Sequence, residues 1–472
     1  MSLNRLDRRQ FLQLSLLAPA LRVDQRRTPA APVVVVGAGL AGLRAAAILR
    51  QAGQAAVVLE ARERPGGRVL TVRSPFDDGL HAEAGPIRIS GAHRAVLRAV
   101  REYRLPLTPF HSSVGTVTRP SSATTHASET SGRGVASAAL RDDERRLAAS
   151  ALLDRYVGTL PAALSEPTAT ASSYAAWQDY DRLTWPEWLV SRGASPEAAR
   201  LMTFGGDSHT LSALYVLRQF ALSRRSSQHY KIAGGMDQLP RAMASALGDA
   251  VVYDAAVVRV DGSSSPVRVD YERAGSIRTV SASAVIFTVP LTVLRDIEIR
   301  PRLSAAKERA MAGLDYYPDV RFLLQTRNRF WSRDGSSGSA RTARAEIWDC
   351  TSDSPAKTRG ILGASAGGAT SRAIVDPVSS ASVALGVEIV AEAFPDIRAA
   401  FEKGVVHSWP LERWSRGAFV TFRPGQMTAM MPDISQPEHG CHFAGEHTSS
   451  WMGWMEGALE SGERAAREVL SS

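Results

Sequence analysis

A chain of 472 residues with 44% hydrophobic and 22% charged residues is long enough for two domains, and its composition is that of a globular protein, neither disordered nor fibrous. The net charge of +9 is spread along the chain and not gathered into a basic stripe, which argues against nucleic acid as a partner. No apolar run beyond the first two dozen residues reaches the roughly 18 residues of a membrane span, and two cysteines without a CxxC pair exclude a disulfide framework.

The chain opens with Arg8-Arg9 in DRRQFL, an apolar stretch to Leu17 and the small residues Ala18-Pro19-Ala20, which resembles a twin-arginine export leader. Residues 1–30 are therefore set outside the fold, and an exported protein is expected, with a cytoplasmic one as the alternative. The segment VVVVGAGLAGLRAAAILRQAGQAAVVLE, residues 33–60, then predicts a strand buried on both faces, a tight glycine turn, an alanine-rich helix stopped by Gly53 and a second strand. Gly37 suits the turn, Gly39 lets backbone N–H groups approach a pyrophosphate, and Gly42 lets the helix sit close to the strand. Glu60 stands 23 residues after Gly37, near the roughly 20-residue separation at which a carboxylate meets a ribose hydroxyl. Strand, helix and acid together read as a dinucleotide-binding unit whose phosphates rest on a helix N-terminus.

Residues 112–137, rich in serine, threonine, alanine and glycine, read as a surface excursion. From Leu140 to Gln219 the apolar spacing is helical, broken at Pro161, Pro186 and Pro196. Strands are expected at 251–253, 257–258 and 284–290, a helical stretch over 291–315, and further strands at 321–325 and 360–364. The chain closes with a strand, a glycine turn and an amphipathic helix from Met455 to Leu470. His439, Cys441, His442 and His447 are close in sequence, but alternate residues of a strand point to opposite faces, so no metal is expected.

Further segments extend the nucleotide unit: EARERPGGRVLT with Gly66, Gly67 and Arg68, YKIAGGMDQLPRAMA, TVPLTVL, RNRFW, and FAGEH followed by GWMEGALESGERAA. Together, and in this order, they resemble the flavin amine oxidase family, which includes monoamine, polyamine and L-amino acid oxidases. The resemblance implies an α/β protein: a discontinuous Rossmann-like FAD-binding domain (residues 31–90, 225–295 and 405–472) and an α+β substrate domain with a helical insert (91–224 and 296–404). It implies FAD as cofactor, held by Gly37, Gly39, Gly42, Glu60, Arg62, Gly66, Gly67, Arg68, Gly85, Pro86, Val257, Gly445, Glu446, Trp454 and Met455. Within that set Val257 corresponds to the main chain at the adenine and Glu446 to the ribityl or pyrophosphate ligand. Where monoamine oxidases attach the flavin to cysteine this chain has Ala418, so the FAD is expected to be non-covalent.

The stretch AEAGPIRIS, residues 82–90, resembles L-amino acid oxidases, in which the arginine at the position of Arg88 grips the substrate carboxylate. The tyrosine that such enzymes add to this grip has Ser365 as its nearest counterpart. Phe419 and Trp454 occupy the two aromatic positions that flank the substrate amine. Many members hold a lysine near the flavin ten residues before the tryptophan of the FW pair; here that position is Arg321, and none of the chain's four lysines replaces it. An arginine keeps the charge but cannot act as a base near neutral pH. His209 is a further candidate, as a proton acceptor in the helical region. The expected reaction is hydride transfer from the amine-bearing carbon to flavin, imine hydrolysis, and reoxidation by oxygen to hydrogen peroxide. L-amino acids are the first expected substrates and non-carboxylated amines the second. A desaturase or dehydrogenase with another acceptor and a non-catalytic flavin-binding protein are the rivals, and a homodimer is left open.

Overall fold

The computed structural model describes the chain except for residues 1–30, 111–138, 148, 167, 170, 204–207, 333–336 and 353–357. The double-arginine leader and the excursion at 112–137 lie outside the described residues.

The four valines Val33–Val36 form the central strand of a five-stranded sheet whose order is Cys441–Phe443, Val285–Phe287, Val33–Val36, Ala56–Leu59, Val251–Val252. Every pairing in it is parallel. A central strand covered on both faces has no position for a polar side chain, which is why this one reads as an unbroken apolar run. On one face Val33 and Val35 meet the helices Leu40–Gln51, Gln238–Leu247 and Met455–Leu470 through Leu43, Ala46, Met243 and Leu459. On the other, Val34, Val36, Phe287 and Phe443 join a core shared with the sheet formed by Ser276–Ala282, Val267–Arg273, Ala256–Asp261 and Glu298–Arg300.

The helical insert belongs to that second core, through Trp185, Leu189, Leu214 and Leu217. Its prolines begin helices more than they break them. Pro186 lies in the first turn of Trp185–Ser191 and Pro196 opens Pro196–Leu201, where the missing N–H has no intrahelical acceptor to lose. Ser195 caps the latter by accepting from the Ala198 N–H at 3.1 Å.

A second five-stranded sheet, antiparallel, runs Ala340–Arg341, Glu346–Asp349, Gly360–Ala366, Val320–Thr326, Phe401–Ser408. Phe322, Leu324, Ile347 and Leu362 on one face pack against Ile389 and Val390 of the helix Ser380–Ala391. Leu323, Trp348 and Ile361 on the other meet Leu80, Ala82 and Ala84. On that second face the register aligns one polar row across all five strands: Arg341, Glu346, Ser365, Arg321 and His407.

Two expectations change. The stretch 291–315 is two helices, Leu291–Leu294 and Ala305–Gly313, separated by the strand Glu298–Arg300, whose Ile299 pairs with Val260. The alternation of Ile297 and Ile299 is a strand period embedded in a helical context. The strand Phe401–Ser408 crosses the boundary expected at 404/405 and pairs with Val320–Thr326.

First and last segments touch most closely where Gly462 of the final helix meets Leu40–Gln51: a Cβ at Gly462 would overlap the Ala41 carbonyl oxygen. Gly462→Ala is therefore expected to destabilise the fold by about 1–3 kcal/mol, as overpacking does, read as a lower urea midpoint.

Candidate active site

The strand Val33–Val36 delivers the chain into a turn at Gly37, φ +105°, a value that L side chains rarely adopt. Helix Leu40–Gln51 then starts with Gly39 as its N-cap. A Cβ at Gly42 would collide with the Gly37 carbonyl oxygen, so the close helix–strand approach requires glycine there. At Gly39 the finding is opposite: a Cβ would meet nothing within 4 Å, because the residue faces open space. That space is a cavity of about 1300 Å³, mouth included, running between the first and last thirds of the chain.

One end of the cavity is dinucleotide-like. Glu60 is buried at the tip of the second strand, accepting from the Ala38 N–H at 2.7 Å and the Arg62 N–H at 2.9 Å. Burial raises its pKa, against the pull of Arg62 and the two amides. Val257 lines the same end. Arg62 also lines it while pairing with Glu412 at 3.3 Å and Ser415 Oγ at 3.0 Å, its Nε left without a partner. Midway along, Gly39, Gly66, Gly67 and Arg68 face the space. Arg68 Nη1 donates to Glu446 Oε1 at 2.7 Å and to the Ala418 carbonyl at 2.9 Å. Glu446 accepts in addition from the Gly453 N–H at 2.7 Å, which ties the turn before the final helix to the N-terminal segment.

The far end is aromatic and cationic. Gly85, Pro86, Arg321, Phe419, Gly445, Trp454 and Met455 all line it. Phe419 stacks on Tyr317, centroids 5.2 Å apart and planes 10° from parallel. The Trp454 indole N–H donates to Gln219 Oε1 at 2.8 Å, and His93 packs edge-on against the ring at 5.0 Å. His93 Nδ1 accepts from the Ser90 N–H at 3.2 Å, and burial pushes the ring's pKa down to about 3, so it is neutral across the physiological range. The guanidinium of Arg88 lies over the Trp454 ring, 5.9 Å from its centroid. Arg321 Nε donates to Asp319 Oδ2 at 2.7 Å while its guanidinium covers the Trp348 ring at 5.1 Å.

Most residues expected from the sequence thus share one cavity wall. Three stand off it. Gly42 packs behind the turn, Arg88 lies against the lining residue Trp454 without itself lining the cavity, and His209 is exposed and outside the cavity lining. Asp319, Trp409, Tyr317, Gln219 and His93 are the contributors sequence reasoning did not name. For Asp319 a cue existed, since it precedes Arg321 by two residues and shares its side of an extended segment.

The pattern that defines the flavin-containing amine oxidoreductases matches residues 40–470. The chain belongs to this family. It is 29% identical to the L-amino-acid oxidase of Pseudechis australis over 94% of this chain and 88% of that one. Its fold is that of a wild-type putrescine oxidase bound to putrescine (TM-score 0.76, 24% identity, 94% of this chain and 99% of the other). It is also that of the cyclohexylamine oxidase of Brevibacterium oxydans IH-35A (TM-score 0.74, 22% identity, 94% and 99%).

The protein is accordingly an FAD enzyme that oxidises a carbon–nitrogen bond of an amine or amino acid. Its residues fit that cofactor. Glu60 and Val257 suit the adenosine end, the open amide-lined space at Gly39 and Gly66–Arg68 suits the diphosphate, and the start of the helix Met455–Leu470 is placed to receive negative charge at the flavin. Ala418 lines the site without a thiol, and both cysteines are buried and free elsewhere, so the FAD is bound non-covalently. Among the described residues no helix is long and apolar enough to cross a membrane.

The two glycines give opposite expectations. Gly42→Ala should yield little folded protein, whereas Gly39→Ala should fold normally and lose at least tenfold in FAD affinity, since its methyl would enter the open space that fits the cofactor. Circular dichroism together with the visible flavin absorbance of the purified variants separates the two.

Proposed function

We propose that this enzyme is an L-amino acid oxidase in which Arg88 receives the substrate carboxylate. The observation that carries this reading is the state of Arg88 itself. Among the described residues it makes no hydrogen bond or ion pair, its Nε is buried, and its one contact of note is the Trp454 ring. Burial pushes its pKa down; Glu346 opposes that, and Arg321 and Arg341 add to it. A buried cation that makes no ion pair among the described residues has room for an anionic ligand, and a planar guanidinium suits a two-oxygen one. Curated relatives of 27–29% identity that are L-amino-acid oxidases support the same reading.

In this reading Arg88 orients the carboxylate, and the faces of Phe419 and Trp454 confine the amine and exclude water. Bound FAD would supply the two-electron acceptor for the hydrogen on the amine-bearing carbon. The imine then hydrolyses to a 2-oxo acid and ammonia, with oxygen as the terminal acceptor and hydrogen peroxide as its product. Arg321 stands at the cavity wall as an always-charged guanidinium that is already paired with Asp319. The Arg8-Arg9 leader supports export of the folded, FAD-loaded protein.

One observation favours a second reading, a non-carboxylated amine as substrate. The Ser365 hydroxyl, the counterpart of the tyrosine that assists carboxylate binding in related enzymes, is taken by Asp319 at 2.6 Å.

Arg88→Met decides between them. For L-amino acids kcat/KM is expected to fall roughly 10²-fold or more, the cost of truncating one side of a buried charge pair, while oxidation of the corresponding decarboxylated amines stays within threefold. Equal effects on both substrate classes in a peroxide assay would contradict the carboxylate reading.

A further inference from the structure

Arg321 is not alone at its position. Asp319, 1% exposed, lines the same cavity beside it. Its carboxylate is held at both oxygens, by Arg321 Nε on Oδ2 at 2.7 Å and by the Ser365 hydroxyl on Oδ1 at 2.6 Å. The backbone on either side is also pinned: the Trp409 N–H donates to the Asp319 carbonyl at 3.1 Å, and the Asp319 N–H to the Tyr317 carbonyl at 3.0 Å. Tyr317 carries the Phe419 stack, so the carboxylate is rigidly attached to the wall that bears one of the two substrate-flanking aromatics. Each carboxylate oxygen accepts more than one hydrogen bond, and no further donor among the described residues uses the remaining capacity.

We propose that Asp319 accepts the proton that the substrate ammonium loses before its carbon–nitrogen bond is oxidised. Hydride transfer from the carbon needs the nitrogen lone pair, yet an alkylammonium has a pKa of roughly 10 and arrives protonated near neutrality. In this step an N–H bond breaks, its electron pair stays on nitrogen, and an O–H bond forms on Asp319. The proton leaves to solvent when product departs. Arg321 cannot perform the step, because its guanidinium is always charged; it positions Asp319 instead.

The surroundings make such a carboxylate a workable acceptor. Burial raises the Asp319 pKa, Arg321 and the Ser365 hydroxyl pull it back, and Glu346, next to Ser365 across the sheet, raises it again. His407, opposite Arg321 on the other neighbouring strand, is neutral, its pKa pushed down to about 4 by burial against the pull of Glu412 and with the help of Arg64, Arg62 and Arg321, and Arg88 and Arg341 are further charges near this row. The sign follows: Asp319 must be ionised to accept, so its contribution is present above its pKa and fades as pH falls through it.

This inference rests on amine oxidation but not on the carboxylate role of Arg88. The test is anaerobic stopped-flow reduction of the FAD enzyme from pH 6 to 10 by an L-amino acid and by its decarboxylated amine. For whichever substrate is oxidised, Asp319→Asn is expected to slow reduction about 10²-fold at pH 7. The deficit should shrink by up to tenfold per pH unit as the free amine becomes abundant, so that the acidic limb moves up from its wild-type position toward the pKa of the substrate ammonium. Affinity for an α-methylated amino acid, which has no hydrogen to transfer, should lose its fall at low pH in the same variant. A deficit that is constant across pH, or none, overturns the proposal. Should Asp319→Asn not retain FAD, Ser365→Ala decides: loss of the hydroxyl that favours ionised Asp319 should move the acidic limb to higher pH, and an unmoved limb overturns the proposal as well.

Discussion

The active cavity depends on the meeting of Arg68 and Glu446 across it at 2.7 Å, although they stand 378 positions apart in the chain. Both are largely buried, and removing one partner of such a pair costs about 3–5 kcal/mol because the other is left uncompensated. The pair does more than cross-link. Glu446 also takes the Gly453 N–H, and Arg68 the Ala418 carbonyl, so this one contact sets the turn before the final helix and the strand beside Phe419. The aromatic end of the site is thereby referenced to the glycine turn at the other end. Close approach of Gly462 to Ala41 and of Gly42 to Gly37 fixes the spacing of helices and strand behind it.

Charge in the site divides into paired and unpaired groups, and the division maps onto chemistry. Arg68 and Arg321 each have a carboxylate and present no net charge to a ligand at close range. Arg88 has none. The neutral histidines His93 and His407 add no charge, since burial holds both in the uncharged form near neutral pH. Trp454 is the hinge between the two features, held at its N–H by Gln219 from the helical insert and over its face by Arg88.

What the sequence disclosed was the part of the site encoded locally. The valine run, the three glycines and Glu60 act through their immediate neighbours, and the structure arranges them as their spacing suggests. The helix Met455–Leu470 was legible to its ends because its apolar stripe and flanking glycine are also local. Asp319 was not, because its meaning lies in a register: only pairing Val320–Thr326 with Gly360–Ala366 brings Ser365 to it. Gln219 and His93 were invisible for the same reason, each gaining its role from contact with Trp454, more than 200 residues away. His209 illustrates the reverse. A histidine beside glycines has no periodicity to locate it, and it is exposed on the surface, away from the cavity wall.

Every role assigned to the cavity residues requires FAD to lie non-covalently in the space that Gly39, Arg68 and Glu446 leave open. Acid precipitation of the purified, folded enzyme, followed by absorbance of pellet and supernatant, tests this most directly. One FAD per chain released into the supernatant is the predicted result. A colourless protein that takes up no added FAD, or flavin that stays with the pellet, would contradict it.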